Sequence, residues 1–187
     1  AERVGVIDRG SYRIEKIVYQ SQPGVMVTAN LYVPQTGGGK FPGIIFPCGH
    51  WHVAKAAEEY HSCALGLVSK GFVVLLFDPI GQGERCDYFK ADKSLVTEEP
   101  VIEHTLLANP LFLLGRHLMT LRLWDAIRGI DYLVSRPEVD PVRIGITGNS
   151  GGGTVTLHLV PLEERLKVAV PDGTVNAEIK PGKRIER

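Results

Sequence analysis

The sequence predicts an α/β domain built on a doubly wound, mostly parallel sheet. Three observations carry that prediction. Apolar strand-like runs alternate with stretches of helical spacing along the 187 residues. Phe72-Val73-Val74-Leu75-Leu76-Phe77 is continuously apolar, as a parallel strand covered on both faces requires. A β-branched run, Val142 to Thr147, leads straight into the glycine-rich turn Gly148-Asn149-Ser150-Gly151-Gly152.

The elements follow in order. Tyr12–Val18 and Val25–Val33 read as two strands around the turn Gln22-Pro23-Gly24. Pro34 ends the second, and Gly37-Gly38-Gly39 makes a flexible connection. Phe41–Pro47 is a short buried strand, and Ala54–Lys70 reads as a helix closed by Gly71. After the Phe72–Phe77 strand comes a long irregular excursion, Asp78 to about Pro110, whose 87–110 part is expected to form a cap or excursion. Leu111–Ser135 shows helical spacing, with Leu114, Leu118, Leu121, Ile127, Ile130 and Val134 near one stripe. Arg136-Pro137 ends it. The strand before the serine turn, a helix through Thr154–Val160 and a strand at Leu166–Val170 complete the reading. This makes six strands in one domain, 1–187. The polar tail Glu178–Arg187 reads as a solvated end.

Composition narrows the function classes. The chain is 44% hydrophobic and 22% charged, enough for one packed core. Lys plus Arg and Asp plus Glu balance at 21 each, so no nucleic-acid or acidic-membrane partner is implied. No apolar run approaches the length of a membrane span. Cys48, Cys63 and Cys86 cannot all pair within the chain and read as small buried hydrophobes. Neither CxxC nor HExxH is present, so no metal and no other cofactor is expected.

Gly148 to Gly152 fits G-x-S-x-G. Between a strand and a helix this pattern places a serine hydroxyl on a strained turn above the sheet end, as a nucleophile. A phosphate loop would need Lys after the last glycine, and Thr154 follows instead. A dinucleotide fingerprint would come early in the chain rather than here. Two other strand ends carry suggestive residues: Cys48-Gly49-His50-Trp51, and Asp78-Pro79-Ile80-Gly81-Gln82-Gly83.

These features together resemble the α/β-hydrolase family. The antiparallel opening pair, Pro47-Cys48-Gly49-His50, Asp78 to Glu84 and the serine turn all match. Trp124 to Leu133, followed by Arg136 to Gly145, looks like its acetyl xylan esterase and dienelactone-hydrolase-like branches. The resemblance implies esterase chemistry on a small ester or an acetylated carbohydrate, in a family that often acts outside the cytoplasm. It implies Ser150 as nucleophile and an oxyanion hole from the backbone N–H groups of Gly151 and His50, with Trp51 the next choice for the second donor. The His50 side chain is expected at the rim of the acyl pocket. Asp172 stands where some members carry the acid, and reads equally as a turn residue before Gly173.

The chain departs from the family order of serine, acid, histidine. The one histidine after Ser150 is His158, eight residues along the next helix and expected to point away. His104 and His117 flank the excursion and reach the site only if that segment folds over it. The sequence therefore reads as an esterase fold truncated after about six strands, with the last strand an exposed apolar edge open to self-association. The competing reading is a non-catalytic fragment or binding protein that lacks the triad histidine.

Overall fold

A computed structural model describes residues 1–174. The tail Glu178–Arg187 lies outside the described residues. Among these, seven strands form one sheet: β1 (Glu2–Asp8), β2 (Tyr12–Gln22), β3 (Val25–Pro34), β4 (Phe41–Pro47), β5 (Val73–Phe77), β6 (Val139–Asn149) and β7 (Leu166–Asp172). Their order across the sheet is β1-β2-β3-β5-β4-β6-β7. The β1-β2-β3 meander joins β5 antiparallel, and β5, β4, β6 and β7 run parallel. The doubly wound α/β class holds.

Four α-helices accompany the sheet: α1 (Glu58–Ser69), α2 (Pro100–Leu113), α3 (Leu118–Ser135) and α4 (Gly151–Leu159). Strand β5 shows why the fold is two-sided. Successive side chains point to opposite faces, and all five residues are buried. Val73, Leu75 and Phe77 join a core with Ile45, Ile130, Leu133 and Ile146. Val74 and Leu76 join the opposite core with Phe46, Ala64 and Val68 of α1. An unbroken apolar run is the pattern such a strand needs.

Four expectations are corrected. The count is seven strands rather than six, because Glu2–Asp8 pairs with β2 at the sheet edge. Its pattern of exposure, with no residue buried, left no apolar signal to read. The irregular excursion contains a helix, α2. The helical stretch from Leu111 to Ser135 is two helices, broken at Leu114–His117, and Leu114 is exposed. Of the cysteines, Cys48 is buried as expected but Cys63 is exposed and Cys86 intermediate.

Strand β7 is an edge, with Val168 and Val170 exposed. No helix of the described residues is long and apolar enough to cross a membrane.

Candidate active site

The strand β6 ends at Asn149 and α4 begins at Gly151, leaving Ser150 alone in the turn with φ 52° and ψ −116°. That left-handed backbone is costly for a residue with a side chain. It persists because the surroundings leave no slack. The Ser150 N–H donates to Asp172 O at 2.8 Å, and Asn149 Nδ2 donates to Asp172 Oδ2 at 2.7 Å. A Cβ on Gly148 would lie 2.6 Å from the carbonyl carbon and oxygen of Gly152 and 2.9 Å from Pro47 O. A Cβ on Gly152 would collide with Pro47 O itself. Glycine is what lets β4, β6 and α4 converge on one serine.

The loop after β4 lies against this turn. A Cβ on Gly49 would meet Asn149 O at 2.6 Å and Ser150 Cβ at 3.3 Å. Two buried side chains fix the loop. Tyr60 Oη accepts from Gly49 N–H at 2.8 Å, and Gln82 Nε2 donates to both Gly49 O and Trp51 O at 2.8 Å. The Trp51 N–H is spent on Gly49 O at 3.0 Å, whereas the His50 N–H has no partner among the described residues. The Gly151 N–H opens α4, where the first amides lack intrahelical acceptors and the helix end is electropositive.

The loop after β5 is anchored by Asp78, which is fully buried. Its carboxylate accepts from Thr28 Oγ1 at 2.6 Å and Lys55 N at 3.0 Å, and pairs with Lys55 Nζ. Arg85 bonds Asp78 O at 2.9 Å and Asp125 Oδ2 at 2.7 Å. Asp78 thus holds the turn, as its position after the strand suggests.

Helix α2 brings His104 to His50. His104 Nε2 bonds Ile80 O at 2.8 Å, and His104 Nδ1 bonds His50 Nε2 at 3.1 Å. A carbonyl only accepts, so the proton of His104 sits on Nε2. Burial first, and the nearby Arg122 guanidinium second, lower the His104 pKa to about 4. The neutral ring then accepts at Nδ1 from His50 Nε2–H. The same two causes lower His50. That ring lies over Gly151, where a Cβ would come within 2.7 Å of Nδ1. Arg122 Nη2 reaches Gly151 O at 3.3 Å, and its buried Nε has no partner.

His158, His61 and His117 are turned elsewhere. His158 Nδ1 bonds Thr154 O at 2.8 Å on the exposed side of α4, as its spacing implied. His61 pairs with Tyr32 Oη, and His117 caps α3 by accepting from Met119 N–H. Ser150, His50, Gly151 and Asp172 are thus brought together, and none of these histidines hydrogen-bonds the serine. Gln82, Tyr60 and Arg122 were not singled out from the sequence. The Gly81-Gln82-Gly83 turn could have pointed to Gln82, but nothing local marks the other two.

No group of His, Cys, Asp and Glu among the described residues could hold a metal ion. The acetyl xylan esterase (AXE1) family model matches residues 8–175. The chain belongs to that family. It is 32% identical over 104 residues to YtaP of Bacillus subtilis (strain 168), covering 56% of this chain and 30% of that protein. Among solved structures it is similar to methylesterase BT1017, with TM-score 0.74 and 26% identity over 91% of this chain and 34% of that one. Acetyl xylan esterase 1 from Thermoanaerobacterium sp. JW/SL YS485 superposes with TM-score 0.68 at 21% identity, over 91% of this chain and 52% of that chain, a likeness of fold. The chain therefore spans about a third to a half of the length of these relatives.

Proposed function

We propose that this chain carries the nucleophile half of a serine carboxylesterase site, with Ser150 attacking a small acyl ester such as an acetyl group on a carbohydrate. The observation that carries the reading is the Ser150 backbone at φ 52°, held between three glycines and Asp172. A binding protein has no use for a serine kept at that cost. Family membership supports the same chemistry.

In this reading Ser150 Oγ bonds to the acyl carbon and its proton passes to a base. The carbonyl oxygen becomes an oxyanion between two N–H donors, those of His50 and Gly151. Both lack partners among the described residues, and the spent N–H of Trp51 argues for His50 over its neighbour. Each donor aimed at the developing charge is worth a few kcal/mol, on the order of 3. The His50 ring, bonded to His104 through Nε2 and lying against Gly151, shapes the acyl pocket. Asp172 serves either as the acid or as a brace for the elbow, and its bond to Asn149 favours the brace. The base is a histidine from outside these 187 residues, since residues 175–187 contain none. Helix α2, with the segment 87–99 before it, is the cap over the pocket.

The second reading, a non-catalytic binding fragment that self-associates through β7, is favoured by the lack of a histidine on Ser150 and by the open edge. One experiment separates the two. Hydrolysis of p-nitrophenyl acetate and labelling by a fluorophosphonate are compared in the chain and in Ser150→Ala. Labelling that disappears with Ser150 is the expected result. Equal, background labelling in both would sink the nucleophile assignment.

A further inference from the structure

Helix α2 turns its charges inward and its carbon outward. An amphipathic helix ordinarily does the reverse. Glu103 is buried and accepts from Asp87 N–H at 2.6 Å, and His104 is buried between Ile80 O and His50. At about 100° per residue, Val101, Ile102, Thr105, Asn109, Phe112 and Leu113 fall together on the opposite side, and all six are exposed. Leu113 is 90% exposed, and Leu114, just past the helix end, 73%. From Pro100 to Gly115 this outer face carries no charged residue. Its 14 residues make a stripe about 21 Å long. Single apolar residues scattered over a surface mean nothing, but a continuous stripe of them marks a contact surface.

The ends of the stripe say what covers it. Glu98 and Glu99 precede the helix and Arg116 follows it. All three are exposed, and none enters the ion pairs of the described residues. A second copy laid antiparallel on the stripe brings the acidic end of each helix to the Arg116 of the other. In such a two-fold contact, residue i meets j and j meets i, so one pairing sets the rest. With Glu99 opposite the partner's Arg116, Ile102 faces the partner's Leu113 and Val101 the partner's Leu114. Asn109 and Leu106 then flank the axis, and a lone amide in an apolar seam is a device that fixes register. A parallel pairing would set glutamate on glutamate and arginine on arginine, which repel. A membrane surface calls for lysines and arginines beside the apolar face, and two acids stand at one end here with a single arginine at the other.

We infer that the outer face of α2 is a homodimer interface, with a second copy of this chain docked antiparallel across a two-fold axis. The inference goes beyond the esterase reading and differs from association through β7. It also bears on the site. Val101, Thr105, Asn109 and Phe112 line the cavity of about 310 Å³ that His50, His104 and Arg122 share, so the partner's helix forms an outer wall of that cavity.

The test is sedimentation velocity of the 187-residue chain over a concentration series, with circular dichroism to confirm the fold of each variant. The expected result is a dimer of twice the chain mass. Leu113→Asp changes a side chain that the fold scarcely buries and should raise the dimer dissociation constant about 30-fold or more, as loss of a central anchor does. Arg116→Glu should raise it about tenfold at low salt by setting acid against acid. Adding Glu98→Lys and Glu99→Lys to Arg116→Glu reverses both ends and should restore the dimer. A chain that stays monomeric at about 100 µM overturns the inference, because specific interfaces of standard size bind in the micromolar range or tighter. A dimer that survives Leu113→Asp but falls apart with Val168→Lys on β7 overturns it as well. A reversed-charge variant as weak as Arg116→Glu alone would overturn the antiparallel docking.

Discussion

Replacing Gly148 by alanine tests the idea that the elbow is a packing solution and not merely a flexible turn. The new Cβ would sit 2.6 Å from the carbonyl carbon and oxygen of Gly152 and 2.9 Å from Pro47 O. All three are backbone atoms, so no rotamer change relieves the contact. Either α4 moves away from β6, or β6 moves away from β4. Overpacking of this kind costs about 1–3 kcal/mol, and the backbone on both sides puts Gly148→Ala near 3. For a chain of this size each kcal/mol lowers Tm by roughly 2–4 °C, so a fall of about 6–12 °C is expected. The control is Gly66→Ala in α1, where a Cβ meets nothing within 4 Å. There the change should stabilise by about 0.5–1 kcal/mol, because glycine is a poor helix former. Thermal unfolding by circular dichroism reads both. A Tm for Gly148→Ala within error of the parent, with Gly66→Ala behaving as described, would refute the argument that backbone convergence selects glycine here. Fluorophosphonate labelling of Ser150 should fall in the same variant, since the serine and the obstructed contact belong to one turn.

Other consequences can be checked in the same way. Gln82→Ala removes two hydrogen bonds to the loop that carries His50. A loss of about 2 kcal/mol should appear as a lower urea midpoint, with serine labelling slowed; an unchanged midpoint would mean that the loop holds itself. Asp78→Ala removes the buried carboxylate that pairs with Lys55 and accepts from Thr28, leaving Lys55 only the exposed Glu84, and should cost about 3–5 kcal/mol, read as Tm. A cost under about 1 kcal/mol, the level of a surface pair, would show that the anchor is replaceable. The His104 pKa, lowered to about 4 in the fold, predicts a pH effect. Its contribution to stability is fully present above the unfolded pKa of about 6.5 and is lost as pH falls through the folded value. The Tm of the parent should therefore drop more steeply from pH 6.5 to 4 than that of His104→Leu, and parallel curves would remove the buried neutral imidazole from the account.

Much of this architecture can be read from residue pattern, and the failures share a cause. Strands β4 and β5 announce themselves because parallel strands covered on both faces are apolar throughout. Ser150 and its glycines are legible because strand, turn and helix are adjacent in the chain. Helix α2 was missed because its pattern is inverted. It buries Pro100, Glu103 and His104 while Val101, Ile102, Phe112 and Leu113 are exposed. No rule that seeks an apolar inner face would find it. Strand β1 escaped because backbone pairing, which every residue type can provide, is what holds it. The contact between His50 and His104 spans 54 residues, and local spacing carries no trace of such a partnership.

The position of β4 has a consequence for how the chain reaches this state. It is an inner strand, flanked by β5 and β6, yet Ile44 and Ile45 pair with Gly145 and Ile146, about a hundred residues later. The meander from β1 to β3 closes through near neighbours and can assemble early, since local contacts form fastest. During synthesis β4 has its partner on one side only until β6 leaves the ribosome. For that interval a strand as apolar as Ile44-Ile45-Phe46 offers unsatisfied amides and carbonyls to any other extended segment. The nascent chain, more than the finished one, is where this fold is most exposed to mispairing.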